Sequence, residues 1–491
     1  MDEDISLEVD LGIVKKRSFV GVLALTSRTF LVQVISFAST FFLTVFLDPR
    51  VFGIYGIVSA SIAIFRNFSD IGLAAALIQK KEQITKEDLE TTFVVQQTLA
   101  IILFAVIFGV SPLLKRIYGF DHSAIFLLYA LAFSFFLSSL KTIPSVLLER
   151  TLRFNLLIIP QLLETVVYSV LVVIFAWRGM GINSFSYSVL AQGIVGLIAM
   201  YIISPWKPGF TFSRQSLKKL LKFGVPYQAN TFVAMAKDDL MTVFLGKIIG
   251  TTGLGYLLWA KKWAEQPLRF FMDNVLKVTF PAFSRMQEDK KELKKAVEKS
   301  VFFLAFLTFP ILLGFSLIAS DLVKIIPRWT KWQPALLALY FYCFNSAWAT
   351  ISTTMTNLLN ALGKIKTTFK LMLMWLVLTW VLMPILGVKL GYNGIALSAA
   401  LISVSSVVAV YCAKKNVDFD LPRSIGKPLI ASFFLGIILF FFKPFIFNLW
   451  FSIGLRVLVG GAVYLFISYV LVGKELVNDL SKIYHEFRKN K

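Results

Sequence analysis

Five side chains between Lys262 and Lys277 alternate in charge, and their spacing places them on one side of a helix. At about 100° per residue, with Lys262 as origin, Glu265 falls near −60°, Arg269 near −20°, Asp273 near +20° and Lys277 near +60°. They share a face roughly 120° wide that runs for about 22 Å of helix. Arg66 and Asp70 repeat the i,i+4 arrangement earlier in the chain. Arg28, Lys237, Asp238, Asp239 and Glu164 are further ionisable residues set inside apolar sequence. Guanidinium groups suit phosphate or carboxylate, which they grip with two parallel hydrogen bonds. Lys237 and Lys262 add point charges of the same sign. Asp70, Glu164, Asp238, Asp239, Glu265 and Asp273 are the candidates for balancing those cations, or for proton or sodium coupling. The competing explanation is that pairs such as Arg66–Asp70 and Arg269–Asp273 satisfy themselves and glue helices together. Stability alone explains that poorly, because burying an ion pair often gains nothing over apolar packing.

The elements that must carry these residues are membrane helices. Of the 491 residues 57% are hydrophobic and 16% charged, and the apolar residues gather in runs of the roughly 20 needed to cross a bilayer. Such runs occur at 19–47, 51–79, 91–113, 124–148, 155–177, 182–204, 222–250, 252–283, 300–326, 335–362, 367–388, 391–412, 428–448 and 450–473, which predicts fourteen transmembrane helices. Their continuity argues against a β-barrel, whose strands alternate. A soluble enzyme, a secreted disulfide scaffold and a disordered tail protein are excluded as well. A charge facing lipid at mid-bilayer costs about 2.5–3.5 kcal/mol, so most intramembrane charges are expected to face protein or water. Lys141 and Arg456 lie within two turns of span ends and are expected to snorkel. Pro267, among the charges of the eighth span, predicts a kink.

Charge sets the orientation. The net charge is +22; 31 of the 50 Lys and Arg fall in segments assigned to the cytoplasm and 10 in external loops, which places both termini in the cytoplasm. The basic excess is then a topology signal directed at anionic lipid headgroups rather than at nucleic acid. The first eighteen residues lead into a span too long for a cleavable signal, so that span is expected to remain as an anchor. Cys343 and Cys412 read as buried thiols. External loops such as Tyr118–Ser123 and Arg328–Gln333 are too short for a catalytic domain. His122 and His485 are the two histidines, and no metal-ligand cluster, phosphate-binding Gly loop or nucleophile elbow is present in the sequence. The expectation is a protein that is not an enzyme and uses no cofactor.

Internal similarity organises the spans. FGIYGIVSASIAIFRNFSD in the second lies beside LGYLLWAKKWAEQPLRFFMD in the eighth: Phe52-Gly53 falls on Leu254-Gly255, and Arg66/Asp70 falls on Arg269/Asp273. Leu147-Leu148 matches Leu358-Leu359, and the turn with Gly179, Gly181 and Asn183 matches that with Gly391, Asn393 and Gly394. Six spans, six related spans and two more follow, and an even repeat length makes the repeats parallel. The predicted division is a cytoplasmic segment 1–18, an N-lobe 19–204, a cytoplasmic linker 205–221, a C-lobe 222–412, two extra spans in 428–473 and a cytoplasmic tail 474–491. The fold class expected is an all-α integral membrane protein, V-shaped around a central cationic cavity.

With FGIYGIVSASIAIFRNFSDIGLAAALIQKKEQIT after the first external turn and LKKLLKFGVPYQANTF opening the second half, the chain resembles the multidrug/oligosaccharidyl-lipid/polysaccharide exporter superfamily. Within it the sequence is most similar to Wzx-type polysaccharide flippases of the colanic-acid and teichuronic-acid exporter branch. The resemblance implies alternating-access transfer of an anionic, polyprenyl-pyrophosphate-linked oligosaccharide to the outer leaflet of a cytoplasmic (inner) membrane. By similarity to the lipid II flippase, Arg28, Arg66 and Arg269 would hold the pyrophosphate, and Pro428–Gly473 would offer a groove for the lipid tail. The implied partners are that glycan lipid, membrane lipids and polysaccharide polymerase machinery, with the chain as a monomer. A cation-coupled multidrug or metabolite antiporter of the same superfamily is the alternative. It would lean on Asp238, Asp239 or Glu164, and the basic Arg28 in the first span, where that branch tends to carry an acid, counts against it.

Overall fold

The computed structural model describes residues 30–80, 82–442 and 449–489, with side chains except at 67–70, 223, 225–231 and 474–489. Arg28, segment 1–18 and the Asp70 side chain lie outside the described residues. Among the described residues the regular structure is entirely helical. The helices are α1 (Phe30–Phe46), α2 (Pro49–Asp70), α3 (Leu73–Gln79), α4 (Lys86–Tyr118), α5 (His122–Leu140), α6 (Thr142–Arg150), α7 (Phe154–Trp177) and α8 (Asn183–Ile203). They continue as α9 (Arg214–Arg285), α10 (Lys290–Ile325), α11 (Leu336–Ala361), α12 (Ile365–Val404), α13 (Val407–Lys414), α14 (Leu421–Phe441) and α15 (Leu449–Lys489). Ten of the described helical segments are long and apolar enough to cross a membrane, so the chain is a multi-pass membrane protein.

Local chemistry sets the helix ends. Pro49 opens α2 at a position where no amide donor is needed. Thr85 and Asp88 form a reciprocal capping box at the start of α4. Asp121, Asp289 and Asp420 accept from first-turn amides of α5, α10 and α14. The two longest internal helices are each bent at one glycine, Gly250 in α9 (φ 70°) and Gly391 in α12 (φ 62°), a backbone region that side-chain-bearing residues rarely adopt. Helical backbone angles persist through Pro267, and the non-helical residue, Gly250, falls at the boundary between the predicted spans 222–250 and 252–283.

Two compact units divide the chain, Met1–Gly255 and Tyr256–Lys491. In the first, α5 packs with α2, α4 and α8, and α7 lies along α8, burying Ile57, Val58, Leu127, Leu128 and Phe185. The first half of α9 joins this unit: Tyr118 donates to the Val243 carbonyl at 2.7 Å and Lys247 to that of Ile117 at 3.3 Å. The residues aligned by the internal similarity meet here. A Cβ on Gly53 would stand 1.7 Å from the Thr251 carbonyl oxygen, and one on Gly255 would stand 1.8 Å from that of Pro49. Each glycine thus faces the residue four positions before the other, a local two-fold contact in which only hydrogen fits.

In the second unit α10 packs with α11 and α14, α11 with α12, and α14 with α15. Leu293, Val297, Met355, Leu358 and Leu359 are buried together. Trp259 stacks on Trp332 at 5.2 Å, and Trp329 and Trp263 meet them edge-on or tilted. This aromatic cluster backs the start of the charged helix and fixes its rotation.

Candidate functional site

In the second unit the charged stretch of α9 has two distinct sides. Trp263, Ala264, Leu268 and Met272 are buried, the last two against Leu304, Phe271 and Val275. Lys262, Arg269 and Lys277 are exposed, and Glu265 and Asp273 are partly so. Glu265 lies between two cations, 3.8 Å from the Lys261 ammonium and 3.5 Å from the Arg269 guanidinium. Both distances exceed the roughly 2.7–2.9 Å of a tight charge-assisted hydrogen bond. The Lys261 and Arg269 side chains remain 41% and 61% exposed. Apolar packing on one side therefore holds up a cationic face whose hydrogen-bonding capacity a polyanion can engage.

In the first unit Arg66 is exposed on α2. On α9, Lys237 contacts its neighbour Asp238 at 2.6 Å, with side-chain exposures of 31% and 52%, while Asp239 is half-buried. An ammonium paired to an adjacent exposed carboxylate is screened and contributes little to stability. Arg66 and Lys237 thus also present charge at the surface of their helices.

Other intramembrane charges are closed off. Glu164 of α7 is ion-paired to Lys141, both mostly buried. Gly196 of α8 makes the space, since a Cβ there would sit 2.0 Å from the Glu164 Oε1. Arg456 of α15 is only 4% exposed; it donates to Asp321 of α10 at 2.6 Å and to the Leu439 carbonyl of α14. Lys141 and Arg456 therefore do not snorkel. Each finds a carboxylate inside the protein, a cheaper solution than dragging the charge past the span end. Asp321 is not among the acids that the sequence singles out, although its place five residues before the end of the 300–326 run marks it as intramembrane. Among the described residues no cluster of metal-ligating side chains occurs.

Comparison with known proteins adds an independent line. The family profile described as "Polysaccharide biosynthesis protein" matches residues 42–336, more than half of the chain. The chain is similar to the lipopolysaccharide biosynthesis protein WzxC of Escherichia coli (strain K12), with 23% identity over 407 residues, covering 80% of this chain and 82% of that protein. It is also similar to the succinoglycan biosynthesis transport protein ExoT of Rhizobium meliloti (strain 1021), with 23% identity over 304 residues, covering 62% of this chain and 58% of the relative. Among solved structures, the lipid II flippase MurJ in an inward closed conformation superposes with a TM-score of 0.74 at 17% identity, covering 92% of this chain and 99% of that one. An inward-facing multidrug transporter of the MATE family gives 0.61 at 15% identity, covering 81% and 98%. At these identities the structural likeness speaks for the fold.

Proposed function

The chain belongs to the polysaccharide biosynthesis protein family, and we propose that it is a flippase that moves a lipid-linked oligosaccharide across the cytoplasmic membrane for the synthesis of a cell-surface polysaccharide. It is a carrier and not a catalyst. The observation that carries this reading is the cationic face of α9, where Lys262 and Arg269 stay exposed beside a loosely held Glu265. The names of WzxC and ExoT place those relatives in polysaccharide biosynthesis, and the chain shares the fold of the lipid II flippase MurJ. In this scheme α9 and α12 each cross twice about their glycine bends and α1 and α2 cross once, so that fourteen crossings form two six-helix lobes followed by α14 and α15. Both termini lie in the cytoplasm, and the lobes make a V around a hydrated cationic cavity.

The proposed cargo is a polyprenyl pyrophosphate carrying a short glycan. Arg66 and Lys237, with Lys262 and Arg269, bind the pyrophosphate, and Arg28 is assigned the same role from its place in the first span. Guanidinium groups suit this task because a pyrophosphate offers several acceptors to planar, paired donors. The glycan occupies the wet cavity while the polyprenyl tail remains among lipid tails along the apolar faces of α14 and α15. Asp70, Asp238, Asp239, Glu265 and Asp273 offset part of the cationic charge and are the groups through which a proton or sodium gradient would be coupled. A single copy of the chain works beside polymerase machinery that takes up the delivered glycan. The antiporter alternative has less support, since Glu164 is engaged by Lys141 and Asp238 by Lys237.

Vesicles holding the purified chain and a fluorescent polyprenyl-pyrophosphate oligosaccharide test this, with a membrane-impermeant quencher reporting transfer between leaflets. Loss of a charged hydrogen bond worth about 1.5–3 kcal/mol predicts that Arg66→Ala and Arg269→Ala each slow transfer by roughly 10- to 100-fold, with the protein still folded in the membrane. Undiminished transfer in both variants would remove the site assignment. Gradient-driven efflux of cationic drugs without lipid transfer would instead favour the antiporter.

A further inference from the structure

The connector between α8 and α9 has an unusual charge distribution. From Pro205 to Lys222 it carries Lys207, Arg214, Lys218, Lys219 and Lys222 and no acid. Of the acids at the start of α4, Asp88 and Glu90 are turned inward and Glu87 is exposed. Glu90 is 4% exposed and accepts from the Thr211 amide at 3.1 Å. Its carboxylate fills the place where a Cβ on Gly209 would stand, 2.0 Å from Oε1. Thr91, fully buried, accepts from the Ser213 amide at 2.9 Å, and Ser213 caps the start of α9. Asp88 is buried against Lys80 and the Thr85 amide. The connector is therefore strapped onto the start of α4, and the strap's outward charge is all positive.

The first turns of α9 continue this segregation. Leu220 is buried, and Leu217 and Leu221 pack beside it, in a cluster with Leu73, Leu77, Phe93, Ile143 and Val146. Arg214, Lys218 and Lys222 recur every four residues as one exposed stripe, flanked by exposed Lys219. Just before it, Trp206 and Phe210 each meet the Phe93 ring edge-on, at 5.1 and 6.5 Å, yet Phe210 is 81% exposed and Phe212 54% exposed. Two open phenylalanines in a polar connector, a few residues from the end of membrane helix α8, suit the boundary between headgroups and acyl chains. An uninterrupted cationic stripe beside them matches anionic headgroups.

We propose that residues 205–222 are a lipid-docking strap, in which Phe210 and Phe212 enter the interfacial layer of the cytoplasmic leaflet while Arg214, Lys218 and Lys222 bind the phosphates of anionic lipids. The strap stands on surface chemistry within the first unit and is independent of the cargo reading. Because Glu90 and Thr91 fix its backbone to α4, bound headgroups also anchor α4 and the entry of α9 at one depth.

The full chain, with Cys343 and Cys412 replaced by alanine and an environment-sensitive fluorophore on Pro208→Cys, tests this in nanodiscs of phosphatidylcholine alone or mixed with phosphatidylglycerol. Adding phosphatidylglycerol should shift the emission to the blue and cut iodide quenching severalfold. Molar salt, where the screening length shrinks to about 3 Å, should reverse that gain. The combined Arg214→Glu, Lys218→Glu and Lys222→Glu substitution should abolish the dependence on lipid charge, and Lys218→Arg with Lys222→Arg should retain it, which separates headgroup binding from misfolding. Phe210→Ser with Phe212→Ser should leave the fluorophore open to iodide in both lipids. Equal iodide access in the two compositions for the otherwise unaltered chain would overturn the proposal. So would shielding that survives the triple charge reversal, since that would mean an apolar protein contact.

Discussion

Arg269 and Arg456 belong to the same unit and both sit in apolar helices, yet the protein treats them in opposite ways. Arg456 is sealed between α10, α14 and α15, with one donor on Asp321 and another on the Leu439 carbonyl. Arg269 stands on the open side of α9, with Glu265 at 3.5 Å and most of its side chain exposed. The first arrangement engages both terminal nitrogens of the guanidinium with the protein, so its worth is positional: it fastens α15 to α10. The second keeps the guanidinium at the surface, where a solute can reach it. Lys141–Glu164 and Lys237–Asp238 repeat the contrast in the first unit, one pair mostly buried and the other open. Formal charge inside a span is therefore a poor guide to function until its saturation by partners is known.

The contrast breaks most readily at Arg456. Truncating one member of a buried pair leaves an uncompensated charge, so Arg456→Met should cost about 3–5 kcal/mol, read as a large drop in the unfolding midpoint of the purified protein. Adding Asp321→Leu should recover much of that loss, because two apolar side chains then replace both charges. Arg269→Met, in the same assay, should leave the midpoint almost unmoved; a comparable drop there would erase the distinction between the two arginines. A smaller effect is expected at the local two-fold contact. Gly53→Ala puts a methyl group onto the Thr251 carbonyl, and overpacking of that kind costs about 1–3 kcal/mol. Gly461→Ala, where a Cβ meets nothing within 4 Å, should be nearly silent. Smallest is Thr85→Ala, which removes the side-chain cap at the start of α4 and should cost about 1 kcal/mol without changing transport per folded molecule.

Particular residues mark how far the primary structure could be read. The polar side of α9 follows from spacing, because helical periodicity alone puts Lys262, Glu265, Arg269 and Asp273 on one side and Ala264 and Leu268 outside it. The alignment of Gly53 with Gly255 is likewise visible in the chain. That the two glycines touch is not, since nothing in a repeat says that its copies must be neighbours. The mistaken expectation for Lys141 and Arg456 has a similar origin. Distance from a span end is a one-dimensional measure, and it cannot register a carboxylate supplied by another helix.

Composition and periodicity by themselves determined that this chain is a helical membrane protein and which side of the Lys262–Lys277 stretch is charged. Those properties are local: backbone groups in lipid must pair within a helix, and a helix repeats every 3.6 residues. Only the tertiary structure decided which charges are spent and which remain exposed. Asp321 lies 135 residues before Arg456, and Glu90 121 residues before Thr211. Such pairings are fixed by the packing of distant helices, because the cost of an isolated buried charge falls only when a partner from elsewhere in the fold arrives to meet it.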